Sequence, residues 1–416
     1  MSKALPKGVS PETFALHGAY DPARSEGALK PPVFQTSTFV ARTAEELALC
    51  FIQAYGLDGQ PPRAPQDLIY SRVVNPDLQI FEERWSRYEG SEASALFGSG
   101  MAAISTTLLT FLRPGNTVIY TTPVYGGTAY LMEHVLPAFG IKTIPVSVTW
   151  SGEKILSHMF GVGEYGSNVK MIYMESPANP TLKIADIKGL TKAMTGKTQR
   201  PKIVVDSTVL GPQFMRPLDH GADIVLHSAT KSIGGHSDLT AGIAAGSKED
   251  IGSIKAMRTI MGTMCGPHTA WLLIRSLEDY KVRVEAAQHK ALKVAGYLKG
   301  HEKVLELLYP GNDILGRPDP RFEAMCTGSG SLMSFRVKGG KEAAYRVLDA
   351  LQVIKLAVSL GGTESLAEHP GTHTHSDIPP ETRLEMGITE DMIRLSVGLE
   401  DADDVINDLK QALAQI

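Results

Sequence analysis

Lys231 ends the run Ser228-Ala229-Thr230-Lys231, directly after the apolar stretch Ala222-Asp223-Ile224-Val225-Leu226-His227. That stretch has the length of a strand, so the lysine stands where a strand gives way to a turn. The hydroxyls of Ser228 and Thr230 are suited to donate to phosphate oxygens. A lysine amine taken out of water loses its charge and becomes a nucleophile that condenses with an aldehyde. Alone, the pattern is more often a surface lysine after a buried strand. A second stretch decides the matter. Lys202-Ile203-Val204-Val205-Asp206 is another apolar run, and it ends on a carboxylate before Ser207-Thr208. An acid at the C-terminal end of a strand sits where open α/β sheets bind ligands.

The two stretches together suit pyridoxal phosphate. That cofactor needs a carboxylate against its ring nitrogen, because a protonated ring is the electron sink. At Asp206, Ser228, Thr230 and Lys231 the chain resembles the Cys/Met-metabolism pyridoxal-phosphate enzymes, which include cystathionine γ-synthases, cystathionine γ-lyases and methionine γ-lyases. The resemblance runs from about Val33 to the C-terminus. Further motifs carry it: Tyr70-Ser71-Arg72 before Asn75-Pro76, Gly98-Ser99-Gly100-Met101, Tyr125, Pro177-Ala178-Asn179-Pro180, and Ile393-Arg394-Leu395-Ser396-Val397-Gly398.

Read from the residues alone, several of these motifs have ordinary structural explanations. Tyr-Ser-Arg fits an exposed turn, and a lone strand arginine often packs its stem and pairs its head. Gly-Ser-Gly before the apolar run Ala102 to Leu112 fits an anion site, since free N–H groups at a helix start point at a ligand. The resemblance implies more definite roles. Tyr70 and Arg72 would reach the phosphate of a neighbouring subunit's cofactor, and Ser99, Gly100 and Met101 would bind phosphate within the chain. Tyr125 would stack on the ring and serve the leaving group. Asn179 would lie near the cofactor hydroxyl and the substrate carboxylate, which Arg394, beside Ser359, would take as a bidentate pair. His373 and His375 echo a Thr-His turn and are expected to be structural.

The elements that must position these residues alternate as in an α/β domain. Strands are expected at 117–120, 170–175, 202–208, 222–227 and 240–245, with helices from Pro76 to Tyr88 and from about Thr128 to Phe139. Residues 249–299 read mostly as long helices. The resemblance implies the aminotransferase-like fold (fold type I). That is a large domain with a mixed, mostly parallel seven-stranded sheet flanked by helices, plus a smaller C-terminal α+β domain. Residues 1–68 would form an arm contacting the neighbouring subunit, 69–265 the cofactor-binding domain, and 266–416 a linking helix and the C-terminal domain. In the arm, Thr43 and Glu46 have capping-box spacing, and Tyr55 to Asp67 reads as a long loop.

Composition excludes little but consistently. A formal charge of -4 offers no basic footprint for nucleic acid. Cys50, Cys265 and Cys326 are odd in number and far apart, so neither a disulfide framework nor a zinc site is suggested. None of the twelve histidines has metal-ligand spacing, and no metal is expected. With no apolar run of spanning length, the expectation is a cytoplasmic protein that binds no membrane. The resemblance adds a homotetramer built from dimers that share active sites.

The implied reaction is elimination of the S- or O-linked Cγ substituent of an L-homoserine-type amino acid such as methionine, homocysteine or cystathionine. Lys231 would move protons and Tyr125 would act as general acid. A γ-replacement transferase uses the same residues, and a non-catalytic cofactor binder is the third reading. Substrate positions depart from the relatives. Gly127 replaces the cysteine of methionine γ-lyases, Val358 replaces the glutamate frequent in cystathionine enzymes, and Ser232 replaces a larger side chain. Glu45, Glu46, Asp58 and Asp67 leave open a cationic substrate such as canavanine.

Overall fold

The computed structural model describes residues 5–6, 8–59, 68–161, 168–196, 200–311 and 318–416. Part of the 55–67 loop, including Asp67, lies outside the described residues. The fold is α/β. A seven-stranded mixed sheet is formed by β1 (Ala93–Phe97), β2 (Thr117–Thr122), β3 (Lys142–Ser147), β4 (Val169–Glu175), β5 (Lys202–Asp206), β6 (Ile224–His227) and β7 (Gly242–Gly246). A five-stranded sheet contains β8 (Val304–Leu308), β9 (Leu332–Val337), β10 (Lys355–Leu356), β11 (Leu366–Glu368) and β12 (Met392–Ser396). The chain divides into two compact units. The first comprises Met1–Phe111, Asp223–Gly234 and Asp238–Lys281, and the second Leu112–Ala222, Gly235–Ser237 and Val282–Ile416.

In the first unit β7 runs antiparallel to both β1 and β6. Its sequence, Gly-Ile-Ala-Ala-Gly, is small because the backbone of Ser99 crosses close by. A Cβ on Gly242 would lie 2.1 Å from the Ser99 carbonyl oxygen. Helix Pro76–Glu89 packs beside this sheet. Asn75 caps it by accepting the Asp77 N–H at 3.0 Å, Pro76 opens it, and Gly90 (φ 72°) ends it. Its buried face carries Trp85, whose ring lies edge-on 5.2 Å from His227 at the end of β6. His227 Nε2 is 2.8 Å from Glu89 of the same helix, so the strand leading to Lys231 is anchored by packing and by a buried polar pair.

The second unit holds β5-β4-β2-β3, all parallel. Ile172, Met174, Ile203 and Val205 form its core with Ile155 and Leu190 of two covering helices. The smaller sheet packs Phe335, Ile393 and Leu395 against Val347, Leu348, Leu409 and Leu413 of helices Gly340–Ala350 and Ala402–Leu413. Both helices are amphipathic, which suits a one-sided sheet cover.

The expected strands and helices fall close to their places, and Thr43 caps helix Ala44–Tyr55 by accepting the Glu46 N–H at 3.1 Å. The helix expected to run to Phe139 differs. It breaks into Gly126–Tyr130, a π-helical turn Leu131–Val135 and Leu136–Ala138. Pro137 has no N–H and cannot sustain regular α-helical bonding there. Among the described residues no helix is long and apolar enough to cross a membrane.

Glu82 is the polar joint of the first unit. It accepts from the Leu96 N–H of β1 at 2.8 Å, from Arg258 at 2.6 Å and from Lys255 at 2.5 Å. Because Arg258 is buried, Glu82→Ala leaves its charge unpaired. Urea unfolding at pH 7 should show a loss of about 3–5 kcal/mol.

Candidate active site

In the first unit the residues with phosphate chemistry converge. Ser99 caps helix Gly100–Phe111. Its hydroxyl takes the Ala102 N–H at 3.0 Å and its carbonyl the Ala103 N–H at 3.1 Å. The N–H groups of Gly100 and Met101, the next two at this helix start, remain for an incoming anion. A Cβ on Gly100 would lie 2.9 Å from Ser228 Cβ and 3.0 Å from its Oγ, so only glycine brings this helix start against the Ser228 turn. In that turn the Lys231 N–H donates to the Ser228 carbonyl at 3.1 Å. Thr230 is held by β7: its hydroxyl donates to the Ala241 carbonyl at 3.1 Å and accepts the Ala241 N–H at 3.0 Å. Its side chain therefore fixes the turn, and its single proton already has an acceptor.

Tyr70 and Arg72 lie on a separate turn of the same unit. The Arg72 guanidinium sits 5.6 Å from the Tyr70 ring centroid and donates to the Thr259 carbonyl at 2.7 Å. Tyr70 is 41% exposed.

In the second unit the strand ends carry the chemistry. Asp206 ends β5 in register with Glu175 at the end of β4. Both are buried. Asp206 Oδ1 accepts from the Thr208 N–H at 3.0 Å and the Thr208 hydroxyl at 2.5 Å, and its Oδ2 faces the Tyr173 hydroxyl at 3.3 Å. Glu175 accepts the Tyr125 N–H at 2.8 Å and the Asn179 N–H at 2.8 Å. Arg394, on β12 opposite Glu368 of β11, pairs with that carboxylate at 2.7 Å. The same guanidinium donates to Asn179 Oδ1 at 3.2 Å and to the Ser359 carbonyl at 3.0 Å. Ser359 thus meets Arg394 through its backbone, held at φ 94°, a conformation that side-chain-bearing residues adopt only with strain.

Burial governs the protonation of this group. Desolvation, then the nearby Asp206 charge, pushes the Glu175 carboxyl up to about 8. The Tyr173 hydroxyl is driven well above its usual range by burial and by the same aspartate, so it stays a donor. His375 is fully buried, and desolvation and the Arg394 charge lower it to about 4. It stands as a neutral packing residue. Among the described residues no group of His, Cys, Asp and Glu side chains is disposed to hold a metal ion. Of the acids considered for a cationic substrate, Glu46 already pairs with Arg42 at 2.9 Å.

Comparison with known proteins agrees with this set of groups. Residues 12–414 match the Cys/Met metabolism PLP-dependent enzyme family. The chain belongs to that family. It is 38% identical over 403 residues to an L-methionine gamma-lyase of Pseudomonas putida, covering 96% of each chain. It is 36% identical over 411 residues to a cystathionine gamma-lyase of Bacillus subtilis, covering 97% of this chain and 99% of the relative. The crystal structure of cystathionine gamma synthase from Xanthomonas oryzae pv. oryzae in complex with cystathionine superposes with a TM-score of 0.87 at 30% identity, covering 98% and 99%.

The cofactor of the family member is pyridoxal phosphate, and the groups fit it. The Gly100 cradle and free helix N–H groups suit a phosphate, and Asp206, which ends β5 beside the neutral donors Thr208 and Tyr173, suits a ring N–H. Its substrate is a small amino acid. Three residues carry no recognised motif. Glu175 shows the same signal as Asp206, an acid at a strand's end, whereas Tyr173 and Glu368 show none, because their partners are distant in sequence.

Two outcomes are expected. Gly100→Ala should raise the dissociation constant for pyridoxal phosphate at least tenfold in titrations of the cofactor-free enzyme, while the far-ultraviolet circular dichroism spectrum stays unchanged. His375 has a folded value below its unfolded one, so the unfolded chain binds more protons between about pH 4 and 6.5. Its contribution is therefore present above that window and lost as pH falls through it. His375→Asn should remove on the order of 2–3 kcal/mol of that acid sensitivity, read as the difference between the two proteins' stability-versus-pH curves in urea.

Proposed function

We propose that this chain is a pyridoxal-phosphate-dependent γ-lyase that eliminates a sulfur substituent from Cγ of a homoserine-type L-amino acid. The observation that carries this reading is whole-length likeness to γ-lyases, 38% identity to a methionine γ-lyase over 96% of the chain. For methionine the balance is substrate plus water giving methanethiol, 2-oxobutanoate and ammonia.

Bound pyridoxal phosphate supplies an electron sink for charge developing next to the substrate's Cα. The chain supplies the rest. Lys231 holds the cofactor covalently and, once released, removes the Cα proton and carries protons among the reacting carbons. Asp206, the acceptor that ends β5, would keep the ring nitrogen protonated. Ser99, Gly100, Met101 and Ser228 hold the phosphate, and Thr230, whose hydroxyl proton is taken by the Ala241 carbonyl, fixes the turn that carries Ser228 and Lys231 instead of donating to the phosphate. Tyr125 lies against the ring and gives its phenolic proton to the leaving sulfur. Arg394 takes the substrate carboxylate, and Asn179 and Ser359 fix the guanidinium. Glu368 and Asn179 hold Nη1 and the Ser359 carbonyl holds Nη2, so the plane of the guanidinium is set before a substrate carboxylate arrives. Tyr70 and Arg72 complete a partner subunit's phosphate site, within a homotetramer built from dimers. The exposed Tyr70, Ile260 (70%) and Met261 (48%) support such a contact surface. We assign the enzyme to the cytoplasm, with no nucleic-acid or membrane partner, and residues 1–68, 69–265 and 266–416 to arm, cofactor domain and C-terminal domain.

The likeness to a cystathionine γ-synthase keeps γ-replacement as the second reading, since both reactions share every residue named. Absorbance spectra followed by turnover of methionine, cystathionine, O-acetylhomoserine and canavanine, each with and without added thiol, separate them. A γ-lyase releases 2-oxobutanoate and ammonia without thiol, and Lys231→Ala abolishes both the visible cofactor band and the products. Turnover that requires thiol would move the protein to the transferases. A bound cofactor with no turnover would leave a binder.

A further inference from the structure

Glu175 has no role in the chemistry above, yet it touches two residues that do. Its carboxyl oxygens are divided between them. Oε2 accepts the backbone N–H of Tyr125 at 2.8 Å, and Oε1 accepts the backbone N–H of Asn179 at 2.8 Å. The residue is 4% exposed, and its own N–H donates to Thr121 Oγ1 of β2 at 3.2 Å. The backbone that carries the side chain is thus held between two parallel strands. Beyond Asn179 the path continues, because Asn179 Oδ1 accepts from Arg394 at 3.2 Å.

We propose that Glu175 is the positioning residue that sets Tyr125 and Asn179, and through Asn179 Arg394, at one spacing. It would hold the group that protonates the leaving sulfur at a set distance from the group that holds the carboxylate. This rests on the γ-lyase roles given above for Tyr125 and Arg394. The spacing of those two groups must match the span from carboxylate to Cγ substituent, so Glu175 would set the length of substrate that reacts.

The side-chain chemistry is specific. Both targets are backbone donors, so the bridge needs two acceptor atoms on one rigid planar group. Both oxygens of a carboxyl group keep accepting lone pairs, protonated or ionised. An amide has one, and its NH2 would face an N–H, leaving one buried donor without an acceptor. Aspartate is one methylene shorter and cannot keep both contacts from the same backbone position. A purely space-filling residue, by contrast, would tolerate glutamine, which has the same shape.

The test compares wild type with Glu175→Gln and Glu175→Ala in the full-length protein, with and without pyridoxal phosphate. Hydrogen–deuterium exchange at peptide resolution reads the clamp directly, independently of turnover. In Glu175→Gln, exchange should accelerate at least tenfold in both the segment holding Tyr125 and the segment holding Asn179, with β9 and β12 unchanged. With cofactor still bound at one per chain, kcat should fall at least tenfold and KM for the best substrate should rise severalfold. Glu175→Ala should exceed both effects, and the isosteric glutamine variant keeps the test decisive if the alanine variant does not fold. Wild-type exchange in both segments, acceleration in only one, or kcat and KM within twofold of wild type would overturn the proposal. If the unaltered enzyme turns over no γ-substituted amino acid, the γ-lyase reading fails by itself, and the exchange data still decide whether Glu175 clamps the two segments.

Discussion

Two buried carboxyl groups stand side by side at the ends of adjacent parallel strands, Glu175 on β4 and Asp206 on β5. Two charges this close in a low-dielectric interior would repel strongly, so burial beside Asp206 pushes Glu175 up to about 8 and keeps it protonated at neutral pH, and each group also has donors around it. Asp206 receives them from Thr208 and Tyr173, and Glu175 from the backbone of the segments that follow β2 and β4. Meeting that electrostatic demand organises the second unit's site. The turns carrying Tyr125 and Asn179 are tied to the sheet by the carboxyl group that accepts their N–H groups.

The first unit meets the opposite demand, a place for an anion, and meets it mainly with backbone. Helix Gly100–Phe111 starts against the Ser228 turn because Gly100 and Gly242 have no Cβ to keep the chains apart. The side chains nearby do structural work. Ser99 caps the helix, and Thr230 locks the lysine turn to Ala241. Phosphate binding by N–H groups has the advantage of rigidity, since the helix cannot rearrange without losing its own bonds.

Arg394 shows how a buried cation stays useful. Glu368 pairs with it in the sheet, which offsets the cost of burial. Asn179 and the strained Ser359 carbonyl then fix the plane of the guanidinium. A planar fork held at both Nη atoms keeps a single orientation.

Much of this protein was legible in its residues. The apolar runs ending at Asp206 and before Lys231 are strands, and each ends where ligands meet α/β sheets. The cap at Thr43 and the glycine turn at Gly100 are local patterns with local causes. Hydrophobic periodicity and chain-end chemistry are determined over a few neighbours, so the sequence states them directly. The helix expected to end near Phe139 runs to Ala138, and what the pattern did not show is its π-helical turn at Leu131–Val135. The hydrogen-bond partners needed the tertiary structure. Tyr125 and Glu175 are 50 positions apart, and Arg394 and Asn179 are 215 apart. Which acid binds a proton donor and which clamps a backbone depends on strand register, and register is decided by how whole sheets pack.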